Sequence, residues 1–400
     1  MTEKERRNID ILETLRRQGP ISRPDISKEM GLNVVTISNY VDDFIKQNVV
    51  YEKEIDVSEG GRRPVLLDLN PRAGFVVGVG LNLMNMVGLL VDFKGNIVTK
   101  TQVARPRTTV KEISECVLEI VREILRRSKD NISNVKGIGV GLAGLVNKNN
   151  GSIHWPQKIA NFYTYASVDL PLKDLIEKEF NLPSFIENDA TCACFGEQWL
   201  DLEHGIKNII YMFSGVGCGI MINGELYRGA KGYAGEVAIY NYKEDNLFAC
   251  EGQKDCLFKQ CEVDLGIIDQ VRALAAKDKE AAEELFHSTS SGLSAIDLKS
   301  VFIGARAKNP IAVSSLNTAA KRLGVKIAYL VNLLNPQVVV IGGGLEEAGE
   351  DFLNTVNLTV KEWALRETTE ELKIVYSQLR ENAVALGAAS LVIQDIFAQL

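Results

Sequence analysis

The sequence predicts an α/β chain in two parts: an N-terminal winged helix-turn-helix, then a longer body in which strands and helices alternate. Three observations carry this. The first 70 residues read as three helices and a hairpin, and apolar strand-like runs alternate with amphipathic helices after residue 74. The chain's 400 residues, 46% hydrophobic and 24% charged, also favour two or three domains over one.

In the first part, Ile9, Leu12 and Leu15 recur at helical spacing over residues 5–18, and Gly19-Pro20 ends that helix. Ser22 suits the N-cap of a short second helix, with Pro24 and Asp25 in its first turn, Ile26 and Met30 facing inward, and Gly31 just past its end. Asn33 caps a third helix over 34–47. Val34, Ile37, Val41, Phe44 and Ile45 make its apolar stripe, while Val35, Thr36, Asn39, Tyr40 and Asp43 face away. Two extended runs, 49–55 and 65–69, flank Ser58-Glu59-Gly60-Gly61-Arg62-Arg63-Pro64 as a hairpin.

In that order of elements the third helix is the one that enters a DNA major groove. Its outward face carries small hydrogen-bonding groups and no acidic residue before Asp42, and the hairpin tip sets Arg62 and Arg63 beside glycines that let backbone approach phosphate. A small helical subdomain that packs on the body is the alternative. Net charge is −7, and residues 1–70 hold 11 Lys and Arg against 13 Asp and Glu, so affinity for DNA rests on local placement of charge.

Residues 68–74 read as a linker. Beyond it, strand-like runs at 75–80, 87–91, 137–141, 209–213 and 338–341 alternate with helical stretches such as 110–127, 169–180 and 315–334. Two similar halves, each with strands, a glycine turn and long helices, are compatible with this pattern but not established by the sequence alone. No apolar run approaches the length of a membrane helix and residues 1–7 lack a signal-peptide core, which places the chain in the cytoplasm with no membrane partner. Seven cysteines, at 116, 192, 194, 218, 250, 256 and 261, are odd in number and read as reduced thiols. His154, His204 and His287 have no partner pattern and read as structural.

Three glycine signals follow strand-like runs: Gly137 to Gly144, Ser214 to Gly219, and Val338 to Gly344. With Ile186-Glu187-Asn188-Asp189-Ala190, the stretch Asn223 to Glu236, and Leu333-Leu334-Asn335-Pro336-Gln337, they make the chain resemble the ROK family, which unites repressors with sugar kinases. The resemblance covers nearly the whole chain. It is to the repressors of xylose-repressor and N-acetylglucosamine-repressor type, which carry a winged helix with a Gly-Arg-Arg-Pro wing, here Gly61 to Pro64. It implies a two-lobed actin/hexokinase-like (ribonuclease H-like) body, with the head at 1–70, the first lobe at 75–187 plus 385–400, and the second at 188–384.

The resemblance also implies function. Family kinases open the first lobe with an Asp-x-Gly-x-Thr hairpin around metal-bound phosphate; here Gly80, Asn82 and Met84 stand in the three key places, so neither the carboxylate nor the tight turn is expected, and kinase activity with them. The sugar pocket is partly kept: Asn188, Asp189, Glu236 and Asn161 would bind hydroxyls, Asp189 being the base in family kinases. For Asn188-Asp189 a satisfied turn is the alternative. The family's zinc cluster survives only as Cys250, Cys256 and Cys261, with Ile239 where a histidine is usual and Phe258 where a second sugar-binding glutamate is usual. Zinc held with a fourth residue and free thiols both stay open.

The expectation is a ligand-responsive repressor of carbohydrate genes. Homodimers or dimers of dimers would set recognition helices about 34 Å apart on operator DNA. Val35, Thr36, Asn39 and Tyr40 would face bases, and Arg62 and Arg63 phosphate or the minor groove. The rivals are a sugar kinase with an accessory DNA-binding domain, supported by Asp189 and the retained glycine turns, and a ligand-independent DNA-binding or scaffold protein.

Overall fold

The structure, a computed structural model, describes residues 1–53, 65–82, 84–105, 110–128, 134–158, 165–203, 205–214, 217–237, 266–289 and 296–400. The head comprises α1 (Glu3–Gln18), β1 (Ile21–Ser22), α2 (Arg23–Met30), α3 (Val34–Lys46), β2 (Val50–Lys53) and β3 (Leu66–Leu69). Each helix starts on a residue that satisfies its free N–H groups. Thr2 and Glu5 form a reciprocal capping box on α1, the Ser22 hydroxyl accepts from Asp25 N–H, and the Asn33 amide oxygen accepts from Val35 N–H at 2.8 Å. Gly31 ends α2 at φ +64°, a left-handed turn that glycine adopts without strain.

Ile11, Leu12, Leu15, Ile26, Ile37, Val41 and Phe44 close the head's core. One reading is corrected here. Val34, assigned to the apolar stripe, is 41% exposed, because the first turn of α3 extends beyond the core that Ile37, Val41 and Phe44 make. Ser22, besides capping α2 as expected, joins Ile21 in a third strand that the sequence reading did not assign, in the order β1-β3-β2 with Ile21 opposite Leu67.

The first lobe contains β4 (Phe75–Leu81), β5 (Asn85–Asp92), β6 (Ile97–Ala104), α4 (Val110–Arg127), β7 (Val135–Leu142), β8 (Leu145–Asn147), β9 (Ser152–Lys158), β10 (Tyr165–Leu170), α5 (Leu172–Phe180) and β11 (Ser184–Asn188). α6 (Asp189–Leu200) leads into the second lobe, with β12 (Ile209–Phe213), β13 (Gly217–Ile222), β14 (Glu225–Leu226), α7 (Ile267–Ala275), α8 (Lys279–Thr289), α9 (Leu298–Arg306), α10 (Pro310–Leu334), β15 (Val338–Gly342), α11 (Glu350–Trp363), α12 (Arg366–Thr369) and β16 (Lys373–Tyr376). The chain returns through α13 (Ala383–Gln399).

The two main sheets run β11-β7-β4-β5-β6 and β14-β13-β12-β15-β16. In each, three consecutive strands pair antiparallel and two more add parallel on the side of the first: β4 matches β12, β5 matches β13, β6 matches β14, β7 matches β15 and β11 matches β16. The likeness of the two halves is thus a shared strand topology.

A small antiparallel sheet, β10-β9-β8, has no counterpart in the sequence reading. It takes Asp169 and Leu170 from the helix expected over 169–180, which starts at Leu172 instead; Pro171 holds the residue before it extended.

α13 crosses the first sheet at glycines. A Cβ on Gly78 or Gly139 would lie 2.1 and 2.2 Å from the Ala385 and Ala388 carbonyl oxygens, so only hydrogen fits between helix and sheet. The same helix meets α6 where a Cβ on Gly387 would lie 1.8 Å from the Cys192 carbonyl oxygen. The stretch Arg380–Gln399 is apolar and long enough to cross a membrane, yet most of it is buried in this packing, and Phe397 meets Phe93 edge to face at 5.6 Å.

Candidate functional site

The site forms where the first-lobe strand β11 hands over to α6. Asn188 is the N-cap of α6: its Oδ1 accepts from Thr191 N–H at 3.2 Å and its Nδ2 donates to the Gly144 carbonyl at 3.3 Å. That internal duty leaves its amide partly engaged, as in the satisfied-turn alternative, while still fixing the first turn of the helix. Asp189 follows as the first helical residue, 4% exposed, with Oδ1 accepting from Ala190 N–H at 2.8 Å.

Burial pushes the Asp189 carboxyl up to about 6, against the lowering effects of the Ala190 N–H and the Arg105 guanidinium. Glu236 reaches the same cleft from the second lobe through an isolated bridge to Gly217 at the start of β13. Gly235 before it has φ +96° and no room for a Cβ, which would fall 1.8 Å from the Cys218 carbonyl oxygen. Glu236 keeps an exposed surface, and the partial loss of hydration by its carboxyl, then the Asp189 carboxylate, push it up to about 7. Two carboxyls and an amide in a recess suit a polyol, whose hydroxyls donate to carboxylates and accept from an amide N–H.

Beside them lies a cluster that the sequence reading did not assign. Glu187 is fully buried, and its Oε2 accepts from Lys148 Nζ and, at 2.9 Å, from Arg228 Nε. Lys148 follows β8 in the first lobe and Arg228 follows β14 in the second, so one carboxylate ties the lobes across the cleft. Burial lowers the Lys148 ammonium, and the Glu187 charge opposes that shift. Glu187 stood inside a recognised motif; its partners, 39 and 41 residues away, left no local signal.

At the β4–β5 connection Asn82 N–H donates to the Asn85 carbonyl at 2.8 Å, and Leu83 between them lies outside the described residues. Glu381 lies against this connection: Asn82 Nδ2 donates to its backbone carbonyl at 2.6 Å, Asn85 Nδ2 to its Oε2 at 3.2 Å, and Lys100 Nζ to its Oε1. Across the cleft, Gly343 and Gly344 adopt φ +74° and +110°, and Gly344 N–H donates to Glu346 Oε2 at 2.9 Å. A side chain at residue 80 would put its Cβ 2.5 Å from Ala385 N and 2.7 Å from Val384 Cβ.

On the head, Val35 is 68% exposed, Asn39 is exposed and Thr36 is half-buried on the outer side of α3. Tyr40 is half-buried against Phe44, ring centroids 6.4 Å apart, which limits its reach. Arg62, Arg63, Asn161, Cys250, Cys256 and Cys261 lie outside the described residues, as do Ile239 and Phe258. Among the described residues no group of three or more His, Cys, Asp or Glu side chains could hold a metal ion.

The ROK family model matches residues 76–395. The xylose repressor of Caldicellulosiruptor bescii is 29% identical over 391 residues, which is 96% of this chain and 95% of that protein. A solved ROK family transcriptional regulator, a homologue of the Escherichia coli Mlc protein, superposes with a TM-score of 0.72 at 23% identity over 99% of this chain and 97% of its own, a likeness of fold. A ROK family glucokinase from Streptomyces griseus, solved with glucose and AMPPNP, gives a TM-score of 0.64 at 27% identity and covers 80% of this chain and 99% of its own.

Proposed function

This chain belongs to the ROK family as a ligand-responsive regulator of carbohydrate genes, and we propose that its effector is a neutral sugar of the D-xylose class, held at Asn188, Asp189 and Glu236, with no phosphoryl transfer. The observation that supports this reading is the pairing of the helices α2 and α3 of the head with a body in which Asp189 and Glu236 lie close enough for one carboxylate to raise the other. The body alone covers 80% of the chain in the glucokinase comparison, whereas the repressor relative accounts for the head as well.

Three features argue against kinase chemistry. Phosphoryl transfer needs positioned positive charge and free backbone donors around the phosphates. Here α13 occupies the space of a side chain at residue 80, Glu381 sits on the β4–β5 turn, and Glu346 takes an amide of the Gly342–Gly344 turn. Carboxylates in those places repel the anion they would have to hold.

The head binds double-stranded operator DNA through α3, with Thr36 and Asn39 toward base edges, Val35 toward a thymine methyl, Tyr40 at the margin, and Arg62 and Arg63 on phosphate or the minor groove. A homodimer, or a dimer of dimers, reads a near-palindromic site with half-sites about 34 Å apart. Calorimetry with D-xylose tests the effector: binding that Asp189→Ala abolishes, with operator affinity kept, is the expected result. Loss of both functions in that variant would indicate a folding role, and ADP release in a coupled assay with ATP-Mg and sugar would restore the kinase reading.

A further inference from the structure

We propose that α6, with α13 bound along it, is the link through which the occupied cleft acts on the DNA-binding head, and that Arg16 of α1 is the residue that couples them. The proposal rests on the sensing reading given above and adds its route. α6 begins at Asn188 and Asp189 in the cleft and ends about 18 Å away at Gln198 to Leu200. The carbonyls at a helix C-terminus lack intrahelical donors and form the negative end of its dipole. Two arginines from the head satisfy them here. Arg16 Nη2 donates to the Trp199 carbonyl and its guanidinium lies 3.9 Å over the Trp199 ring, while Arg17 Nη2 donates to the Gln198 carbonyl at 3.3 Å.

α13 makes the same journey. Its N-terminal end passes under Gly80 and beside Glu381, it meets α6 at the Gly387 contact, and its C-terminal end receives Asn8 Nδ2 at the Ala398 carbonyl, 3.2 Å. With only hydrogen between the two helices at that crossing, neither slides past the other without steric clash, so they move as one body. The first turn of α6 is also pressed by second-lobe β13, where a Cβ on Gly219 would lie 2.3 Å from the Ala190 carbonyl oxygen. Lobe closure therefore pushes directly on the end of α6 that holds the sugar site.

The far joint is built for more than one arrangement. Arg16 and Glu13 form a nearly buried ion pair, with 6% and 15% of their side chains exposed. There Glu13 Oε1, Arg16 Nε and Trp199 Nε1 are buried with no hydrogen-bond partner among the described residues, and so is Asn8 Oδ1, on the residue whose Nδ2 reaches the end of α13. Unmatched polar atoms at the seats of α1 on α6 and α13 leave room for a second packing in which they find partners, and such two-state contacts are what convert small shifts into reorientation of a domain.

The test uses the full chain, with D-xylose and D-glucose as probes, calorimetry for sugar binding and amide hydrogen exchange for residues 3–18. The variant is Glu13→Gln/Arg16→Gln, because losing Arg16 alone would strand the Glu13 carboxylate. If it fails to melt cooperatively, Arg16→Lys, which keeps the charge without the planar fork, carries the comparison. In the natural chain, sugar changes exchange across α1 by about fivefold or more. In the variant the sugar Kd stays within about twofold and the α1 response disappears. An equal α1 response in both proteins, or sugar binding with no α1 response in the natural chain, overturns the link. Absence of heat from either sugar counts against the sensing reading instead. The sugar-free natural chain is then compared with Asp189→Asn: altered α1 exchange supports the link, and identical exchange overturns it.

Discussion

Gly80 shows how one residue can be read two ways. In the sequence it is a missing aspartate; in the fold it is the hydrogen atom that lets α13 lie on β4. Gly80→Asp is therefore expected to destabilise the chain by about 1–3 kcal/mol through overpacking and to gain no phosphotransfer, which thermal melting and a coupled ADP assay check. Asp189 and Glu236 make a second residue-scale prediction. Both carboxyls are raised in the folded chain, to about 6 and about 7, so the folded state holds their protons where the unfolded state has released them. Their contribution to stability is complete below the ordinary values of 3.8 and 4.5 and is lost as pH rises through about 6 to 7. Sugar hydroxyls donate best to ionised carboxylates, so sugar affinity should strengthen over the same interval. Calorimetry from pH 5.5 to 8 reads this, and Asp189→Asn/Glu236→Gln should leave the unliganded stability profile flatter. Asn188 and Asp189 were legible because the motif around them is contiguous, whereas Glu187 drew its meaning from Lys148 and Arg228 on distant segments.

At the scale of elements, the helices of the head were legible to within a few residues because each carries its own cap and its own apolar period. β1 and the β8–β10 sheet were not, since two- to seven-residue strands acquire identity from their partners rather than from internal pattern. Pro171 shows the competing principle at work, cutting three residues from an expected helix. The recognition helix and its wing supply the prediction at this level. Replacing Arg62 and Arg63 with Ala should weaken operator binding across sequences and lower the salt slope by about two, whereas Asn39→Ala should relax preference at one base pair and leave the slope unchanged. Anisotropy titrations over a salt series separate the two outcomes.

At the scale of the whole molecule, two sheets of one topology form the body, and the helices that leave the candidate site end under the head. The fold class was visible in alternating strands and helices; the repeat of the halves could not be established until the strand pairings were known, and the seating of the head on α6 and α13 was not visible because Arg16 and Trp199 are 183 residues apart in sequence. The central claim is that sugar in a cleft without kinase chemistry sets operator occupancy. Its most direct measurement is equilibrium binding of the full chain to DNA fragments that it selects from genomic DNA, with and without D-xylose, while ADP formation from ATP-Mg is followed in the same mixture. The account predicts that the sugar changes DNA affinity by about fivefold or more with no ADP formed. DNA affinity indifferent to sugar, or sugar-dependent turnover of ATP, would contradict it.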